Sequence, residues 1–514
     1  MTLSARLEIH QINVGQGDSV LIVNRDLDKV KAKIQAAINS GKPKGVVLPA
    51  DPIDYVPYAV FKEINLEGTI NRALVIDGGD DDYGGDVYNY LQRQGALRTA
   101  PAHYCPDLYM LISHPHDDHL AGLRSIFKQK VEVTKVVNGK KQKVFEMRDH
   151  LRPACVYHIP DSKKTNPTTL GFKFLSGDIK RATNAPANKT KRVLIHCGGL
   201  SAAKGDMLTI DLGVGVDAIP VKLYALAADQ GVYLSKGQAT KIKAKGKGVD
   251  QNDRSIVLIL EYGSFRYFLG GDIAGTGTEE GGNKGDNIKK VEEPKKKKKK
   301  GKGKKPDFSS QHADVETSLG AALETFFPAT TAWKKNEPKY PAAGYCTVMK
   351  ANHHGSASSC DVYLMATLRP CVAIISSGVK ARYQRHPTQA VINRMSDTPK
   401  WGLRPDGKKT TNNTIKQVYV TEVADKFKGE KFEVNLRGAK ILGDIVIRPV
   451  DESIRTVHAS TTRGQEVKVQ IYGSGEQTGL ASANSALRGV EAKGATDAYT
   501  KMSYIGPFYH TDKH

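Results

Sequence analysis

The run Leu108-Tyr-Met-Leu-Ile-Ser113-His114-Pro-His116-Asp117-Asp118-His119 decides how the chain is read. Leu108 to Ser113 is an uninterrupted stretch of buried-strand length, and it delivers His114 at its end. Four candidate ligands, His114, His116, Asp118 and His119, lie within six residues. Histidines at i and i+2 in an extended loop can turn toward one ion. The Asp118-His119 pair, one step on, can reach a second. Imidazole and carboxylate together suit zinc, and also manganese or iron. A histidine-rich surface loop is the bland alternative, and a strand feeding four ligand groups in this spacing weighs against it.

Other strands end in the same way. Ala73-Leu-Val-Ile-Asp77 stops at a carboxylate and two glycines. Ser255 to Leu260 and Phe265 to Leu269 read as a hairpin that ends at Gly270-Gly271-Asp272. Gly344 to Lys350 leads into Asn352-His353-His354, and Cys371 to Ser376 ends near Gly378. At the N-terminus, Leu7 to Ile12 and Val20 to Val23 alternate as two strands about Gly15-Gln-Gly17-Asp18-Ser19. Leu27 to Ile38 and Val87 to Leu97 have helical spacing. Alternating strands and helices, with polar residues gathered at strand ends, indicate an α/β protein whose site lies on a sheet edge.

The His114–His119 pattern resembles the HxHxDH signature of the metallo-β-lactamase superfamily. Val14-Gly-Gln-Gly-Asp18-Ser19 is similar to the VGQGDS opening of one branch, the hydrolase domain of the DNA-uptake protein ComEC and its soluble relatives. Ile76-Asp77-Gly-Gly79, Asn252-Asp253-Arg-Ser255 with Leu269-Gly-Gly-Asp272, His353-His354-Gly-Ser356 and Tyr383-Gln-Arg-His386-Pro387 follow in that branch's order. The resemblance covers about residues 7–450. It implies a four-layer αββα sandwich carrying two divalent ions, zinc or manganese. His114, His116, Asp118, His119, Asp272 and His354 would be the ligands, with Asp272 between the ions. Asp118 would also orient the nucleophile, and His353 would meet the substrate or protonate the leaving group. The reverse assignment of His353 and His354 stays open at this level. His386 would touch substrate or move a proton, and Asp77 and Asp18 would support the ligand loops.

One superfamily ligand, a further histidine between HxHxDH and the later aspartate, has no convincing counterpart. His158 and His196 are the candidates in that interval, and Asp253 could help the first ion instead. Lone histidines such as His10, His103 and His150 are read as ordinary.

Of 514 residues, 39% are hydrophobic, below the roughly 45–50% of globular chains. That implies a core with solvated insertions. These are placed at about 26–70, 236–250 and 276–340 of a hydrolase domain spanning 1–457, with an extension of unknown role at 458–514. The formal charge is +22, which points to an anionic partner. Residues 283–306 hold twelve lysines and three acids, and 236–247 five lysines and no acid, so two inserts, expected as mobile loops, carry fourteen of those charges. They would gather a polyanion. No apolar run approaches the ~18 residues of a membrane helix, and the start lacks a secretory stretch, so a cytoplasmic address without a membrane is expected. The six cysteines form no CxxC pair, which excludes zinc ribbons.

Paired ions of this kind can lower the pKa of a bridging water toward about 7 and polarise a scissile oxygen. With the ComEC-like motif set and the basic surplus, this indicates a phosphodiesterase or nuclease acting on DNA through a metal-activated hydroxide; the resemblance alone further implies an effector subunit of a multi-protein, defence-type system. The alternatives are a hydrolase of a small ester, phosphoester or lactam, and a non-catalytic nucleic-acid binder.

Overall fold

The computed structural model describes residues 5–40, 66–98, 104–137, 139–149, 152–160, 170–185, 189–201, 206–235, 238–242, 250–263, 265–275, 313–326, 344, 346–368, 370–378, 386–396, 415, 417–422, 439–451, 454, 468–473 and 500–505. Strand alternation determines the architecture. Along Val20–Asp26, Val20 and Ile22 face one core while Leu21 and Val23 face another. Leu74 and Ile76 alternate with Ala73 and Val75 in the same way. A strand apolar on both faces must be covered on both faces.

Two ten-stranded sheets result. The first runs from Thr500–Ile505 through Lys468–Gly473, Ile445–Pro449, Ala5–Gln11, Val20–Asp26, Ile70–Ile76, Tyr104–Leu111, Arg152–His158 and Lys191–His196 to Leu200–Ser201. The second runs from Gln238–Lys241 through Gly231–Ser235, Pro220–Ala228, Val257–Tyr262, Phe265–Leu269, Val348–Lys350, Val372–Ile375 and Gln417–Val420 to Lys440–Ile441. Thr209–Val214 pairs on Pro220–Ala228. Leu7, Ile9, Ile22 and Leu74 of the first sheet share one core with Leu223, Leu258, Leu260, Tyr267 and Ile374 of the second. Outside the first sheet, Val87 and Leu91 of Gly84–Arg93 pack with Ile179 of Leu170–Thr183. Outside the second, Val315–Phe326, Val362–Leu368 and Gln389–Ser396 bury Leu319, Leu364 and Ile392. The protein is thus mixed α/β, with helices on the outer faces of two sheets.

The hairpin expected at Ser255–Leu269 forms as Val257–Tyr262 against Phe265–Leu269. Two segments expected as insertions differ in part. Gln238–Lys241 is an edge strand on Gly231–Ser235, because backbone pairing needs no apolar side chains. Val315–Phe326 is a helix whose Val315, Leu319 and Leu323, spaced four apart, complete the outer core. The lysine run 295–300 and residues 243–249 lie outside the described residues, as do His103 and His150. Beyond residue 457, Lys468–Gly473 pairs with Ile445–Pro449 and buries Val469 and Ile471 in the central core. All six cysteines are free. Among the described residues no helix is long and apolar enough to cross a membrane.

Distant parts of the chain meet at a buried ion network. Glu8 takes Arg25 Nε at 2.7 Å and Arg448 Nη2 at 2.9 Å, and Arg25 also donates to Gln94. Burial alone would raise the Glu8 carboxyl, but the two guanidiniums hold it well below the usual range. Such a group contributes stability above its unfolded pKa near 4.5, and that contribution is lost as pH falls through the depressed folded value. Glu8→Gln should therefore cost about 3–5 kcal/mol at pH 7. In urea melts the gap from the native chain should narrow below about pH 4, and a gap independent of pH would contradict this account.

Candidate metal centre

Parallel pairing sets the ends of several strands level. Ile70–Ile76 and Tyr104–Leu111 run parallel in one sheet, as do Phe265–Leu269, Val348–Lys350 and Val372–Ile375 in the other. Their carboxyl ends deliver Asp77, Ser113-His114, Asp272, His353-His354 and Ser376 to one rim. The two sheets are tied there by Ile256 N donating to Ser113 O (2.9 Å) and Ser376 Oγ donating to Gly17 O (2.7 Å). Gly17 has φ +138°, and a Cβ on it would lie 2.2 Å from the Asp118 carbonyl. Glycine is what allows this turn to lie against the ligand helix.

Asp77, His353 and His354 adopt left-handed backbone, with φ of 59°, 46° and 52°. Such conformations cost about 1–2 kcal/mol per non-glycine residue and collect at functional sites. The His353 amide donates to Gly271 O at 3.0 Å. Asn352 Nδ2 donates to Glu316 at 2.7 Å, and Ser359 Oγ donates to Asn352 O at 2.7 Å. These bonds hold the loop in its conformation.

Hydrogen bonds assign the ring nitrogens. His119 Nδ1 lies 2.9 Å from Asp77 Oδ2, so it carries the proton. His354 Nδ1 donates to the Ser376 carbonyl at 3.1 Å. The Ser113 hydroxyl gives its proton to Asp77 Oδ2 (2.5 Å), so it accepts from His114 Nδ1 at 3.1 Å. All three Nε2 lone pairs are thereby turned toward Asp272 Oδ2, at 3.1 Å from His119, 3.2 Å from His354 and 3.8 Å from His114. His119 Nε2 and His354 Nε2 are 3.2 Å apart, and Asp118 Oδ2 is 3.7 Å from His354 Nε2. Lone pairs this close beside a carboxylate repel unless a cation or proton lies between them. Ligands about 2.0–2.1 Å from a tetrahedral zinc are about 3.3 Å from each other, and the observed spacings match. His114 Nε2 also faces His116 Nδ1 at 3.1 Å. The donor set fits divalent metal.

The charges agree. Burial works against ionised His119 and His354, yet Asp272 raises both, His119 well above its usual value and His354 to about 9. Burial likewise opposes ionisation of Asp272, but His119, His354 and His353 hold its carboxyl well below the usual range. Burial pushes His114 well down, which keeps it neutral and ligand-competent. Positive charge is demanded at the point where the Nε2 atoms converge.

A ligand atom each from Asp18, His119, Asp272 and His354 lies within 4.8 Å of the others. Asp18, however, sits behind the rings, facing His354 Nδ1 at 3.4 Å and His119 Nδ1 at 3.9 Å. Its ion-pair partner is the buried Lys350 ammonium. Burial would raise Asp18, but Lys350 and His354 bring it to about 2. We assign it as counter-charge rather than ligand. Burial raises Asp77 despite its bonds to His119 and Ser113.

His354 joins the tight cluster. His353 stands at its edge, with Nε2 3.9 Å from Asp272 and 17% of its side chain exposed. The His386 ring is 5.3 Å from it. His116 and Asp118 are also part-exposed, so this is the open side. Asp253 turns away and accepts from the Ala313 amide at 2.8 Å. His158 Nδ1 faces Ile159 O and its Nε2 accepts from Arg192, so both nitrogens are committed. His196 is outside the cluster, and His10 bonds Tyr90. Lys350, Ser113 and Ser376 were not singled out from the sequence. A lysine closing an apolar strand two residues before Asn352-His353-His354 was the available signal for the first.

Fold and site together define a mixed α/β protein with a candidate metal centre at the shared rim of two sheets. No family model and no curated protein matches the chain. Among solved structures, Zn2+-bound PqqB from Methylobacterium extorquens is similar over 38% of this chain and 48% of that chain, at 14% identity and a TM-score of 0.18. The chain spans about half the length of that structure, and the likeness is too slight to bear on function.

Groups that orient a ligand typically change metal affinity about 10–100-fold when removed. Asp77→Ala should therefore weaken divalent-metal binding by about that factor, while His119→Ala, which removes a central donor of the candidate cluster, should weaken it further. Calorimetric titration with elemental analysis measures both, and native affinity in the Asp77 variant would contradict the role given to it.

Proposed function

We propose that this protein is a metal-dependent phosphodiesterase of the metallo-β-lactamase type, acting on DNA. The observation that carries the reading is the set of three histidines whose Nδ1 atoms are pinned by protein acceptors and whose Nε2 atoms converge on Asp272. The layering of helices outside two packed sheets agrees with the αββα sandwich that the motif order implies. Within this reading His114, His116, Asp118, His119, Asp272 and His354 hold two divalent ions.

Bound ions supply charge neutralisation at the scissile phosphate and acidify water. The chain's own groups do the rest. Asp272 and the pinned imidazoles fix positions, so no reorganisation is needed during reaction. Asp118, part-exposed on the open side, orients the attacking water. His353, part-exposed at the edge of the cluster with the His386 ring 5.3 Å away, would give a proton to the leaving oxygen. Lys350 and Asp18 balance each other's charge behind the rings. A phosphodiester suits the site better than a neutral ester, because a polyanionic substrate agrees with the +22 charge of the chain. A protein partner that directs the enzyme belongs to this reading through the motif resemblance alone.

His116→Ala and Asp118→Ala should each reduce hydrolysis of bis(4-nitrophenyl) phosphate and of DNA at least 100-fold. Chelation should do the same, with recovery on adding manganese or zinc. His353→Ala should lower kcat more than it changes metal content. A panel of phosphodiester, thioester and lactam substrates turned over by the metal-loaded chain tests the substrate class. Preference for a neutral ester or lactam would overturn the phosphodiester reading.

A further inference from the structure

Between the ligand segment and the Arg152–His158 strand the chain forms an antiparallel hairpin, Lys128–Val137 against Lys140–Asp149. Ten residue pairs match, from Lys128 opposite Asp149 to Val137 opposite Lys140. Among the described residues the two strands make a sheet of their own, paired with neither large sheet. At about 3.3 Å per residue the ribbon is roughly 30 Å long. A two-stranded ribbon with no further strand is marginal in isolation, so its length is not explained by the stability of the body.

The composition of its far end is distinctive. Residues 134–143 contain Lys135, Lys140, Lys141 and Lys143, no carboxylate and no aromatic residue. Thr134, Lys135, Val136, Gly139, Lys141, Gln142 and Lys143 are exposed, and Val136 is 68% exposed. The register puts Lys141 and Lys143 on one face, paired with Val136 and Thr134, and Lys135 on the other. Positive positions on both faces suit a partner that flanks the ribbon on both sides with negative charge. The two phosphate strands bounding a duplex groove do so, and the major groove, about 12 Å wide, admits a two-stranded ribbon. Single-strand recognition leans on aromatic stacking, which this tip cannot offer.

We infer that the 128–149 ribbon is an arm that enters a groove of duplex DNA and grips the backbone on either side; this rests on the nuclease reading above. The contact is to phosphates, so it positions DNA without reading sequence.

The test uses the full chain carrying K135Q, K140Q, K141Q and K143Q together. Binding to a 30-base-pair duplex is followed by fluorescence anisotropy in the cleavage-deficient His116→Ala background, from 50 to 300 mM salt. Each lysine that neutralises a phosphate contributes about 0.9 to the slope of log K against log salt. The slope should fall by about 3–4, and affinity at 100 mM salt at least tenfold. Bis(4-nitrophenyl) phosphate, too small to span the arm, should be hydrolysed by the metal-loaded quadruple variant as by the native chain. The corresponding Lys→Glu set should bind duplex still more weakly. Native duplex affinity and slope in the quadruple variant would overturn the arm and leave the nuclease reading standing. A native chain that turns over the small diester but neither binds nor cuts duplex would overturn both. Equal losses on single-stranded DNA would overturn groove entry.

Discussion

Asp272 Oδ2 is where the two sheets meet chemically. Its backbone amide donates to Ser255 Oγ at 3.0 Å, and the preceding Gly271 carbonyl takes the His353 amide. Its oxygen lies opposite Nε2 atoms from His114 and His119, carried by the first sheet, and from His354, carried by the second. A carboxylate buried among histidines is costly without compensating charge. The rim therefore depends on positive charge at that one point. The left-handed backbone of His353 and His354, the glycine at position 17 and the close approach of the strand ends all serve to bring the donors there.

Compensation is arranged in two layers. On the inner side Lys350 neutralises Asp18, and Asp77 and Ser376 O take up the Nδ1 protons. On the outer side the Nε2 atoms and Asp272 remain for a cation. The tautomer of each histidine follows from its inner partner, so metal-binding capacity on the outer side is set by groups that never touch metal. This is why Ser113 matters: one hydroxyl gives its proton to Asp77 and its lone pair to His114, orienting two candidate donors at once.

Much of this was legible in the sequence, for a physical reason. Strands with apolar residues on both faces declare themselves through continuous runs, and polar clusters at their ends declare a rim. Both the Leu108–His119 run and the Phe265–Asp272 run could be read that way. What could not be read is which way a ring faces. His353 and His354 are neighbours in sequence, and only the backbone turn and the Ser376 carbonyl distinguish them. Asp253 follows a motif asparagine yet points to Ala313, because its direction is set by tertiary contact and not by spacing. The Val315–Phe326 helix was hidden for another reason. Its apolar residues recur at four-residue intervals beside a lysine-dominated stretch, and the charge run masked the period.

The basic surplus also divides differently once structure is added. The sequence draws attention to lysine blocks, because consecutive like charges are conspicuous. The 128–149 ribbon spreads its lysines between valines and polar residues, so no block appears. Its strand period places them on both faces of one projection, and pairing brings Lys135 and Lys143, eight residues apart in the chain, to adjacent rungs of the same ribbon. Electrostatic attraction to a polyanion depends on charge in space, and a paired ribbon loses less conformational entropy on binding than an unpaired segment of equal charge. Lysines held by a strand ladder can therefore outweigh a longer lysine run in orienting a polyanion, even where the run carries more charge.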